Sequence, residues 1–212
     1  MTNIPSTEQC YGLWDTYHVP DNVRGHLSLV RDVALLLGCE LQKSGQTVLL
    51  ELTEAGALLH DVLRFVGTHQ INLRYFQAPP TKEDFEEWRR LDQKYPGLNH
   101  AWAAGAELRE LGYDEALSRV VERHDYAKVV DPDDGPTTWE EKLVFYADKR
   151  VLHRELVSLE KRFSDSEVRY PEFVNVPGEE LKRAAIYELE REIFSYVAFP
   201  PEDVGGILHT SG

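Results

Sequence analysis

The sequence predicts an all-α protein, a bundle of packed helices, on three observations. Apolar residues recur at three- and four-residue intervals through most of the chain. Residues that start and stop helices bracket those stretches. No alternating run long enough for a useful strand interrupts them.

In chain order, Asp21 to Leu37 sets Val23, Leu27, Val30, Ala34 and Leu37 at helical spacing, with Pro20 and Asp21 as start signals and Gly38 as a stop. Thr47 to Val66 repeats the pattern through Leu50, Ala57, Leu58, Leu59 and Val62. It is apolar nearly all round, which predicts a central, buried helix. Ala78-Pro79-Pro80 breaks any element and a charged piece from Thr81 to Lys94 follows, so residues 68–98 read as an inserted flap. Asn99 to Leu111 is an Ala-rich helix closed by Gly112, and Asp114 caps another running through Leu117, Val120 and Val121 toward His124. Thr138 and Glu141 make a capping box that opens a long helix through Val144, Phe145, Val151, Leu152, Leu156 and Leu159 to Arg162. After a turn-prone stretch from Ser164 to Pro177 comes a last helix over residues 179–198, then a loose tail from Pro200. The whole reads as a single domain over residues 1–212 with its core at 20–165.

Length and composition agree with one globular domain: 212 residues, 42% hydrophobic and 28% charged. The balance of 23 Lys+Arg against 37 Asp+Glu gives a formal charge of −14. That charge opposes attraction to bulk nucleic acid or an anionic membrane surface. A small phosphorylated substrate stays compatible, because bound divalent ions and a few local cations reverse the potential inside a pocket. Cys10 and Cys39 lack any C-x-x-C spacing and read as ordinary thiols. The first residues carry no basic stretch followed by an apolar one, and no apolar run has membrane-spanning length, so a cytoplasmic protein is expected.

Function is carried by polar residues on apolar faces, because a buried histidine or carboxylate needs a compensating partner. His26 has Val23, Leu29 and Val30 three or four positions away, and Asp148 has Val144, Phe145, Val151 and Leu152 in the same relation. His60 and Asp61 lie together inside the most apolar helix, pointing about 100° apart. His124 follows Val120 and Val121, and His100 precedes Ala103 and Ala104, small residues that permit close helix approach. Taken singly, each histidine fits a satisfied core residue, and Asp148 fits a carboxylate paired with Arg150 or Arg154. None shows the i, i+4 spacing of a helical zinc motif.

As an ordered set, His26, His60-Asp61 and Asp148 on successive helices resemble the HD-domain superfamily of metal-dependent phosphohydrolases. Ala57-Leu-Leu-His-Asp-Val-Leu-Arg64 resembles the family's A-x-L-x-H-D-I-G-K run, and Leu143-Val-Phe-Tyr-Ala-Asp-Lys149 resembles its final ligand helix. Leu63-Arg64 stands where the family has Gly-Lys, which keeps a cation three residues past Asp61. His124-Asp125-Tyr126-Ala127-Lys128 mimics the same motif but sits too near Asp148 in sequence. With His100 and His124 added, the chain is similar to dinuclear HD proteins of the symmetrical diadenosine tetraphosphatase type.

The resemblance implies an HD-domain helical bundle holding two divalent metal ions, iron or manganese first, with zinc, magnesium or nickel as alternatives. Asp61 would bridge them, His26, His60 and Asp148 would bind one, and His100 with His124 the other. The implied activity is hydrolysis of a phosphate ester or anhydride, of a nucleotide, by a metal-activated water. Asp61 and Arg64 would be catalytic, and Arg64, Lys128 and Lys149 would contact the substrate. The alternatives are a diiron oxygenase of the same superfamily and a nucleotide-sensing module without turnover. His18, His69, His153 and His209 match nothing in the pattern and read as surface or structural residues.

Overall fold

A computed structural model describes residues 3–68, 71–174 and 176–210. His69 lies outside them. The fold is all-α, with ten α-helices and one two-residue hairpin among the described residues. No helix of the described residues is long and apolar enough to cross a membrane.

The chain opens with α1 (Thr7–Thr16), which the apolar spacing had not signalled. Ser6 and Gln9 close a capping box around its start. Helix α2 (Asp21–Lys43) runs past its expected stop. Gly38 is buried inside it, and a Cβ there would come within 2.8 Å of Leu50 Cδ2. That glycine therefore permits a close approach instead of ending the helix.

Helix α3 (Leu50–Leu59) is central, packed against α1, α2, α6 (Glu115–Glu122) and α7 (Trp139–Arg150). It stops before His60, although its apolar pattern continues. From there Val62, Arg64, Val66 and Thr68 donate to the carbonyls three residues back, of Leu59, Asp61, Leu63 and Phe65. These bonds make a run of turns in place of a continued helix. His60 and Asp61 are aimed at different neighbours.

The flap carries α4 (Lys82–Lys94), opened by a Thr81–Asp84 capping box. Phe65 lies 4.1 Å from the Trp88 ring by centroid, and Glu107 accepts hydrogen bonds from Tyr17, Tyr95 and Lys94. Aromatic packing and this buried carboxylate fasten the flap to α1 and to α5 (His100–Glu110). Asn99 caps α5 and Asp114 caps α6, as the sequence indicates.

The long helix expected from Thr138 to Arg162 is not formed. Thr138 and Glu141 do cap its start, but α7 ends at Arg150. Val151 adopts extended backbone, and β1 (Val151–Leu152) pairs antiparallel with β2 (Glu155–Leu156) around His153 at φ 57°. Val151 and Leu156 are cross-strand partners, so a hairpin brings together apolar residues whose spacing also fits a helix. Helix α8 (Leu159–Arg169) then extends into the first part of the stretch expected to be turns. Helix α9 (Glu179–Phe194) packs on α7, and α10 (Val204–Thr210) on α2. The tail is accordingly not loose, since Val204 is fully buried.

Candidate metal centre

Five places in the fold deliver six donors to the middle of the bundle. Helix α2 supplies His26, the turn after α3 supplies His60 and Asp61, α5 supplies His100, the residue beyond α6 is His124, and α7 supplies Asp148. They form two groups, His26 with His60 and Asp148, and Asp61 with His100 and His124. In each group the donor atoms lie within 4.8 Å of one another. The groups adjoin, with the His60 and His124 rings 4.8 Å apart by centroid. Asp125 belongs to neither and accepts hydrogen bonds from Asn99 and Trp102.

In the first group His26 Nε2 lies 3.0 Å and His60 Nε2 3.7 Å from Asp148 Oδ1. In the second, His100 Nε2 lies 3.1 Å and His124 Nε2 3.5 Å from Asp61 Oδ1, with the two Nε2 atoms 3.2 Å apart. His60 and His124 each donate Nδ1–H to a backbone carbonyl, of Ala57 and Val121 respectively. That bond fixes the tautomer in which Nε2 carries the lone pair, aimed at the centre, as the outer hydrogen bond of a metal-binding histidine does.

Of the buried side-chain atoms without a hydrogen-bond partner among the described residues, two belong to the centre. His60 Nε2 and Asp61 Oδ1 make no hydrogen bond within the described structure. A buried acceptor without a partner is costly, and here the two sit in separate groups, each among further acceptors. Metal ions would satisfy both, so the donor set and its orphaned atoms fit two cations.

Electrostatics agree in sign. Burial opposes ionisation of Asp61 and Asp148, yet Arg64 and His100 beside Asp61, and Lys149, His26 and His60 beside Asp148, hold both carboxyls well below the usual range. Burial also opposes charge on His60, but Asp148 and Asp61 outweigh it and raise its pKa. A field that draws a proton onto His60 draws any cation. His124 is pushed down to about 4, by burial first and then by His60 and His100, so it stays a neutral donor.

The centre forms one side of a cavity of about 480 Å³. Arg64 and Lys149 line it. The Arg64 guanidinium is half-exposed, 3.1 Å from His100 Nε2 and 3.6 Å from Asp61 Oδ2, and Lys149 Nζ is buried 2.6 Å from Asp148 Oδ2. Lys128, expected at the substrate, is not part of the lining. Asp131 and Asp134 hold it at 3.0 and 2.7 Å, as pairing within a short acidic loop dictates. Arg150 turns away toward Glu190 and Tyr146, so neither it nor Arg154 pairs with Asp148.

The flap and the region after α7 build the remaining walls. Tyr75 from the flap stacks on His153 at the hairpin tip, ring centroids 4.4 Å apart. His153 is thus at the cavity rim rather than a plain surface residue, whereas His18 pairs with Asp84 and His209 bonds the Gly205 carbonyl. Arg162, Ser166 and Arg169 of α8 also face the cavity, and sequence reading missed them. Their i, i+4, i+7 spacing was visible, but which way that stripe faces depends on where the hairpin sets α8.

The chain is 29% identical over 150 residues to an uncharacterized protein of the archaeon Methanocaldococcus jannaschii. The match covers 66% of this chain and 72% of that protein. No family model matches the chain. No solved structure matches it significantly.

Proposed function

We propose that the protein is a phosphohydrolase of the HD-domain type that uses two divalent metal ions to cleave a phosphate ester or anhydride, with nucleotides as the substrate class. The observation that carries this reading is the pair of adjoining donor groups, His26-His60-Asp148 and Asp61-His100-His124, at a cavity that also presents cations. Four imidazoles with two carboxylates suit iron or manganese. Such ions supply Lewis acidity and an acidic water when bound.

The chain's own residues do the rest. Asp61 would hold a metal ion through Oδ1, and its second oxygen, Oδ2, on the side of Arg64, would accept from the attacking water and orient it. Arg64, three residues on and half-exposed, meets the phosphoryl oxygens and offsets their developing charge. Lys149 keeps Asp148 ionised and adds a second positive charge at the cavity wall. The cations beside the donors favour an anionic substrate over dioxygen, which sets this reading ahead of an oxygenase.

Elemental analysis of anaerobically purified protein tests the centre, and phosphate release with Mn²⁺ or Fe²⁺ tests the chemistry. Near two ions per chain are expected, falling toward one in His100→Ala and in His124→Ala. Turnover should be lost in Asp61→Ala with helicity kept. Absence of metal even after reconstitution, or absence of phosphate release from every nucleotide and phosphoester tried, refutes the proposal. Oxygen uptake in place of phosphate release would assign the oxygenase.

A further inference from the structure

Arg162 is a half-buried guanidinium that lines the cavity and makes no ion pair or hydrogen bond among the described residues. This is unusual in a chain whose acids outnumber its bases by 37 to 23. The other described arginines that are at least partly buried meet carboxylates, as Arg123 does with Glu141 and Arg183 with Glu167, whereas those without one, Arg74, Arg89 and Arg154, are exposed. Sheltered arginines are seldom left without an anion. One turn further along α8, Ser166 also faces the cavity. Another turn on is Arg169, bonded through Nε to Asp165 and lying over the Tyr170 ring.

We infer that this face of α8 is a second anion subsite, with Arg162 as its principal contact, and that it binds a phosphate group other than the one being cleaved. The inference rests on the phosphohydrolase reading for the place of the first phosphate, at the two donor groups His26-His60-Asp148 and Asp61-His100-His124. Arg162 supplies a planar fork of N–H donors suited to phosphate oxygens. Ser166 offers a hydroxyl beside it. The aromatic rim of Tyr75 and His153 lines the same cavity and offers ring faces for a planar group. The ligand class is therefore a nucleotide with at least two phosphates, discriminated from monophosphate esters by α8.

The test uses adenosine 5′-diphosphate and adenosine as probes, titrated calorimetrically into metal-stripped protein in chelator, where no hydrolysis occurs. Wild type should bind the diphosphate at least tenfold more tightly than adenosine. Arg162→Ala should lose about tenfold for the diphosphate, the scale of a charged hydrogen bond, with adenosine unchanged, and Arg162→Lys should recover part of the loss. With metal restored, the ratio of kcat/KM for the diphosphate over p-nitrophenyl phosphate should fall about as much in Arg162→Ala. Equal binding of both probes by wild type, or an Arg162→Ala variant with normal helicity and unchanged diphosphate affinity, overturns the subsite. If the binding difference appears but no metal yields phosphate from any substrate, the subsite stands and the hydrolase reading fails.

Discussion

Gly56→Ala perturbs the metal centre from a distance, and its effect can be worked from the packing. Gly56 lies one turn before His60 on α3. Across from it, Val120 is one turn before His124 and Val144 one turn before Asp148. A Cβ on Gly56 would sit 2.3 Å from Val120 Cγ1 and 3.5 Å from Val144 Cγ2. Ordinary contact begins near 3.4 Å, so α3 and α6 must separate by about 1 Å. Overpacking of this kind costs about 1–3 kcal/mol, offset by about 1 kcal/mol from the better helix propensity of alanine. Net destabilisation of up to about 2 kcal/mol is expected, read as a lower urea midpoint at unchanged slope.

The larger consequence is at the site. Separating α3 from α6 carries Asp61 away from His124, and a misplacement of about 1 Å can cost on the order of 100-fold in rate. Metal content should fall in Gly56→Ala while helicity holds. Adding Val120→Ala should restore metal, because the clash is with that side chain. A Gly56→Ala protein as stable as wild type, with metal and turnover intact, would refute the idea that this contact sets the spacing of the donors.

Burial, then Glu54, pushes the Cys10 thiol up to about 12 from 9.0. The folded state holds this proton more tightly than the unfolded chain, so the contribution to stability is complete below pH 9 and declines as pH rises toward 12. In native protein at pH 8 Cys39, partly exposed, should react with a thiol reagent well before Cys10, and equal rates would contradict the packing of α1. Glu107→Ala strips Tyr17, Tyr95 and Lys94 of a shared acceptor that is 8% exposed. A loss of about 3 kcal/mol is expected in denaturant, with protease cleavage moving into residues 82–94. An unchanged midpoint would show that the flap is held by the Trp88 packing instead.

Much of the site was legible because its residues break a local rule. His26, His60, Asp61 and Asp148 interrupt apolar stripes, and an ionisable group on such a face is visible in one dimension. Their order along the chain carried the resemblance as well. His100 and His124 were weaker signals, since each sits at the edge of its helix and gains meaning only beside Asp61.

By itself the sequence determined the all-α class and the starts of α5, α6 and α7 through Asn99, Asp114 and Thr138. Those are local properties, set by period, capping chemistry and residue type. Only tertiary structure decided that α3 stops before His60, that neighbouring donors serve different groups, and that the apolar run after Arg150 becomes a hairpin. It alone turned Arg162 toward the cavity and left Lys128 in its acidic loop. These outcomes depend on which partner a side chain meets across the bundle, and sequence spacing does not encode contacts between residues a hundred positions apart.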